Sequence, residues 1–141
     1  MIEIEFTIYG KIVPKGRPRA TTIFGHPKLY TPKTTIDYER LIAVQAKTQS
    51  NNQFLGDKKF ALYLEMYFAL PKNTSKKKLQ ELSNTYCTNK KDIDNVAKVV
   101  LDSLNGVLYS DDHNCVELHC IKKYDTEEYI KVKIKELETN G

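Results

Sequence analysis

The stretch "KKDIDNVAKVVLDSLNGVLYSDD", Lys90 to Asp112, carries the decisive pattern of the chain. Ile93, Val96, Ala97, Val100, Leu101 and Leu104 recur at helical spacing, and Gly106 stands where a helix closes through a left-handed residue. Yet the helix is entered through Asp92 and Asp94 and followed by Asp111 and Asp112, in a chain whose net charge is +4. Each helical residue advances about 100° around the axis, so two acids one residue apart converge only if one lies at or before the start. Asp92 is therefore expected at the N-cap, with Asp94 in the first turn, where the helix dipole favours negative charge. Such acids are also ordinary capping residues. Two features go beyond capping. Asp94, Lys98 and Asp102 form one stripe at four-residue spacing, and the Asp111–Asp112 pair follows after one short connection.

Outward from this segment the chain reads as one domain, residues 1–141, with 40% hydrophobic and 28% charged residues. "IEIEFTIYGKIV" alternates and is expected as a strand, with Ile2, Ile4, Phe6 and Ile8 on one face. "KTTIDYERLIAVQAKTQSN" is expected as a helix that packs through Ile36, Leu41 and Val44, with Thr34 or Thr35 as its cap. "KKFALYLEMYFAL" is apolar on both faces and is expected as a central, buried strand. "NTSKKKLQELSN" predicts a short basic helix capped by Thr74 or Ser75. "HNCVELHCIKKY" and "EEYIKVKIKEL" predict two strands meeting at Asp125 as a hairpin. The expected fold class is α+β: a mixed β-sheet with helices mainly on one face.

Between the first strand and first helix lies Pro14 to Pro32, with four prolines, two glycines and the bases Lys15, Arg17, Arg19 and Lys28. It is expected as a long loop, and the interleaving of Phe24 and Tyr30 with bases suits phosphate pairing and base stacking. No stretch is long and apolar enough to span a bilayer, and the N-terminus alternates like a strand rather than a signal peptide. The three cysteines are an odd number, so a disulfide framework is not expected. A cytoplasmic location is the expectation.

If "SDD" opens a strand, Asp112 shares a face with Asn114, Val116, Leu118 and Cys120, whereas Asp111 goes with His113, Cys115, Glu117 and His119. Asp112 is then the acid that turns inward. Asp92, Asp94 and Asp112 meeting there would repel one another unless a cation neutralised them, and oxygen donors favour Mg²⁺ or Mn²⁺. Lys98, one turn beyond Asp94, would hold a scissile phosphate or stabilise developing charge.

"KKDIDNVAKVVLDSLNG" with "YSDD" resembles the RusA-like Holliday junction resolvases, whose pattern is a basic residue, Asp-x-Asp-Asn, a lysine four residues on, Asp-Ala-Leu-Asn-Gly and a later Asp-Asp. "PKGRPRAT" and "LYTP" resemble that family's basic loop, and "KKY" its late strand. The resemblance implies Asp92, Asp94 and Asp112 as metal-binding acids, Lys98 as catalytic lysine and Lys91 at the basic position before the first acid. It implies a homodimer acting on branched DNA, four-way junctions above all, with Lys15, Arg17, Arg19 and Lys91 as DNA contacts. This sequence departs from the pattern at Ser103, where alanine is usual, and at Asn114 and Cys115, where a glutamine and a β-branched residue are usual. Two alternatives stand beside this reading. One is a zinc site from His113, Cys115, His119 and Cys120, with Cys87 and His26 elsewhere; its spacing matches no familiar ribbon or finger. The other is a DNA-binding module of the same fold without catalysis, which the retained acids and Lys98 argue against.

Overall fold

In a computed structural model, residues 1–138 are described. β1 (Glu3–Tyr9) leads to a hairpin, β2 (Arg19–Ile23) and β3 (His26–Tyr30), then α1 (Lys33–Gln49), β4 (Phe60–Ala69), α2 (Lys76–Leu82), α3 (Ile93–Ser103), a 3₁₀ turn (Asp112–Asn114), β5 (Cys115–Asp125) and β6 (Tyr129–Glu136). The main sheet has the order β1-β6-β4-β5, with β5 parallel to β4 and the other pairs antiparallel. It is the expected mixed sheet, and β4 is central, as its two-sided hydrophobicity predicts.

The alternation of β1 and β6 builds the core in layers. Ile4 faces Ile134 and, across β6, Leu62; Phe6, Val132 and Leu64 form the next layer; Ile8, Ile130 and Met66 the third. These nine side chains are almost wholly buried, each burial contributing roughly 1.5–3 kcal/mol before the entropy of ordering is charged against it. Glu3, Glu5, Tyr63, Glu65, Lys131, Lys133 and Lys135 occupy the opposite face, where the Lys133 pairs with Glu3 and Glu5 are too exposed to stabilise much. Val96, Ala97, Val99, Val100 and Leu104 of α3 complete the core. A charge at Val99 or Val100 would therefore be buried without a partner.

The edge of β1 is closed by side chains rather than by a strand. Gln49 accepts from the Thr7 amide at 3.0 Å and donates to the Thr7 carbonyl at 2.8 Å; Gln45 does the same at Tyr9, at 2.9 and 3.2 Å. One turn of α1 separates the two glutamines, matching the two-residue repeat of the strand. On the other edge, Asn84, Thr85 and Cys87 bond backbone to backbone with Lys122 and Tyr124. The rest of that edge, Cys115–Ile121, carries no such partner among the described residues, and Val116 and Leu118 are exposed on it.

Four expectations are corrected. β5 and β6 do not form a hairpin, because β4 lies between them and pairs with both. Pro14–Pro32 is not all loop: it contains β2 and β3. Helix α1 buries Thr35, Tyr38, Ile42 and Ala46, while Ile36, Leu41 and Val44 are exposed. Its N-cap is Pro32, with no side-chain cap, because Thr35 is turned inward to accept from the Gly16 amide at 3.0 Å. By contrast Ser75 caps α2 by accepting from the Lys78 amide, and Gly106 has φ +75°, as the sequence predicts.

Candidate active site

Asp92 stands at the N-cap of α3 and Asp94 in its first turn. Asp92 caps by position only: its carboxylate accepts from the Asn95 side-chain amide at 3.3 Å and makes no bond to the helix backbone. Both acids are exposed. They line a shallow depression of about 440 Å³ with Tyr86, Lys91, Cys120 and Lys122. Lys98 is exposed one turn further along.

The segment after α3 folds back on itself. Gly106 turns the chain and its amide donates to the Tyr109 carbonyl at 2.7 Å. Tyr109 is buried, stacks on Phe60 with centroids 4.4 Å apart, and donates its hydroxyl to the Leu101 carbonyl at 2.7 Å. This anchor returns the Asp111–Asp112 pair to the C-terminal end of the helix. Asp111 caps the 3₁₀ turn, accepting from the His113 amide at 3.1 Å, and remains exposed. That hydrogen bond, first among its neighbours, holds the Asp111 carboxyl below its ordinary value. Asp112 turns inward instead, beside Asp102, and accepts from Asn105 at 3.5 Å. Burial, then the carboxylates of Asp111 and Asp102, push the Asp112 pKa up. The inward acid is the one expected, though by a 3₁₀ turn and not by strand alternation.

The acids are thus divided. Asp92 and Asp102 bracket α3, and a rise of 1.5 Å per residue sets them roughly 15 Å apart along the axis. Asp92 and Asp94 lie at one end; Asp112, with Asp102, lies at the other. Among the described residues no three His, Cys, Asp or Glu side chains converge to hold one ion. The hard oxygen donors suit Mg²⁺ or Mn²⁺ in type, but one chain alone does not bring Asp92, Asp94 and Asp112 around a common cation. The same geometry gives no support to a zinc site at His113, Cys115, His119 and Cys120. Burial pushes the Cys120 thiol up to about 11.

The predicted DNA-binding bases separate into two kinds. Arg17 and Arg19 are both exposed. Lys15 is spent within the chain, on Asp102 at 3.1 Å and Glu39 at 3.2 Å. Burial lowers its pKa, but those two hydrogen bonds outweigh burial and leave it raised. Lys91 donates to the Ile12 carbonyl at 2.6 Å and lies 3.7 Å from Glu128. Lys122 in turn donates to the carbonyls of Asn89 and Lys91, at 3.1 and 2.6 Å. Both lysines pin the approach to α3. Lys122, Asn105 and Glu39 carry no local pattern that singles them out in the sequence, whereas Asp102 is visible as part of the four-residue stripe.

A family model of DNA-cleaving hydrolases, Endodeoxyribonuclease RusA, matches residues 10–135, nearly the whole chain. The chain belongs to the RusA endodeoxyribonuclease family. It is also 31% identical over 138 residues to the Uncharacterized protein YqaN of Bacillus subtilis (strain 168), a match covering 95% of this chain and 96% of that protein. Among the described residues no helix is long and apolar enough to cross a membrane.

Proposed function

We propose that the chain is a Mg²⁺-dependent, structure-selective endodeoxyribonuclease that resolves four-way DNA junctions by paired cuts, with residues 1–141 as one endonuclease domain acting as a cytoplasmic homodimer. The observation that carries this reading is the exposed line of Asp92, Asp94 and Lys98 on α3, with the inward Asp112 at its far end, in a chain of this family. Asp92, Asp94 and Asp112 are the proposed metal-binding acids, and Mg²⁺ would supply charge neutralisation at the phosphodiester. Lys98 holds the scissile phosphate next to Asp94, and Arg17 and Arg19 hold the flanking backbone. Lys15 keeps Asp102 neutralised, and Lys91 with Lys122 fixes the start of α3.

The division of the acids supports a dimer whose sites are shared. The unpaired edge Cys115–Ile121 is open to a second copy. An antiparallel pairing of two β5 edges would carry the turn at Asp112 of the partner subunit toward the far end of β5, where Cys120 and Lys122 line the depression of Asp92 and Asp94. A two-fold axis then yields two equivalent sites, as two cuts across a junction require. The test is cleavage of a synthetic four-way junction beside a linear duplex of the same arms, with and without Mg²⁺. Metal-dependent cutting of the junction alone is expected; equal cutting of both, or junction binding without cleavage at any divalent-metal concentration, would refute it.

A further inference from the structure

The hairpin β2–β3 has no core of its own. Every residue of both strands is exposed. Isolated two-stranded hairpins are marginal in water, so this one depends for its order on its stem or on a partner. Its register separates two faces. Arg19 pairs with Tyr30, Thr21 with Lys28 and Ile23 with His26 on one; Ala20 with Leu29 and Thr22 with Pro27 on the other. One face is basic and aromatic, the other apolar. Phe24 and Gly25 form the turn, both with positive φ, +51° and +77°. Asparagine followed by glycine is the sequence such a turn favours, and a bulky residue at its first position is an outlier. Phe24 is 96% exposed there. Local conformation disfavours a phenylalanine at this place, and packing against the chain does not account for it.

The hairpin is also rooted at the site. At its stem the Lys15 amide donates to the Asn95 carbonyl of α3 at 2.9 Å, and the Lys15 ammonium holds Asp102. The Gly16 amide donates to Thr35 at 3.0 Å, and a Cβ at Gly16 would stand 2.8 Å from that hydroxyl. The stem is therefore clamped between α1 and α3, and five-residue strands carry Phe24 roughly 17 Å beyond it.

We propose that Phe24 is a wedge that enters the centre of a branched DNA and stacks on a base there, while Arg19, Lys28 and Tyr30 follow the backbone of one arm. The inference rests on the proposed nuclease function and adds the element that tells a junction from a duplex. A branch point exposes unpaired or weakly stacked bases, whereas an intact duplex must first be unstacked to admit a ring. A protein partner would be expected to meet an apolar tip without the surrounding bases; the charge favours DNA.

The test uses full-length Phe24→Asn, which suits the turn better than phenylalanine and so preserves the hairpin, with Phe24→Tyr as the conservative rescue. Binding to a synthetic four-way junction and to a linear duplex is measured without divalent metal, alongside permanganate oxidation of thymines at the branch. Wild type and Phe24→Tyr should prefer the junction and raise branch-thymine oxidation several-fold. Phe24→Asn should lose about tenfold in junction-to-duplex preference and the added oxidation with it. If wild type prefers junctions and Phe24→Asn keeps both the preference and the oxidation, the wedge is refuted while the nuclease reading stands. If wild type shows no preference for junctions over duplex, the underlying reading fails and takes the wedge with it.

Discussion

At the scale of the residue, two adjacent aspartates have opposite tasks. Asp111 is spent on the His113 amide, and Asp112 is pressed against Asp102. Because the Asp112 pKa is raised, the folded chain binds that proton more tightly than the unfolded chain does. Its stabilising contribution is therefore present at low pH and lost as pH rises through the folded value. At neutral pH without metal the carboxylate is a net cost, so Asp112→Asn should raise Tm by roughly a degree or two. The same change should reduce junction cleavage by at least about 100-fold, whereas Asp111→Asn should reduce it by less than about tenfold. A fall in Tm for Asp112→Asn, or equal loss of cleavage at both positions, would contradict these roles. Lys91 gives a contrasting case. Removing it in Lys91→Ala leaves the Ile12 carbonyl and Glu128 without their cation, at a cost of roughly 1–3 kcal/mol. Urea titration should show that loss; a variant of unchanged midpoint would return Lys91 to the surface.

At the scale of the element, the bases of the Pro14–Pro32 segment should act differently although they are close in sequence. Arg17→Ala with Arg19→Ala should lower the salt dependence of junction binding by about two units of slope, one for each phosphate that is no longer paired. Lys15→Ala should leave the slope nearly unchanged, because its ammonium is already bound to Asp102 and Glu39. A slope change at Lys15 equal to that at an arginine would show that this pair opens on DNA. The sequence distinguishes these bases poorly, because nothing local shows that Glu39 and Asp102 lie on helices that close around the stem. The same holds for β2 and β3. Their residues bury nothing, so neither the alternation that reveals β1 nor the two-sided hydrophobicity that reveals β4 is present. Helix α1 is misread for a different reason. Its inward face uses Thr35 and Ala46, whereas Leu41 and Val44 are left outside. The apolar stripe of α3 agrees with its burial in Val96, Ala97, Val100 and Leu104, where periodicity and packing coincide, whereas Ile93 at its start is exposed.

At the scale of the whole molecule, connectivity is the part least visible in sequence. β5 and β6 are adjacent in the chain, yet β4 separates them. Only the non-local pairing of β4 with both decides that, and a short connection at Asp125 reads equally well as a hairpin. The acids show the same limit: their order along the chain is plain, but the length of α3 holds them at opposite ends. If sites are shared between subunits, Asp94→Asn and Asp112→Asn, each inactive alone, should complement when mixed. The heterodimer would carry both lesions in one site and an intact set in the other, restoring nicks on one strand. Mixtures as inactive as the separate variants would show that each site lies within one chain. Paired cutting remains the central claim, and a supercoiled plasmid that extrudes a cruciform measures it most directly. With Mg²⁺ the protein should convert that plasmid to a linear product cut at the cruciform base, leave a plasmid without the cruciform intact, and lose the reaction in Asp94→Asn. Nicked circles alone, or linear product from both plasmids alike, would contradict it.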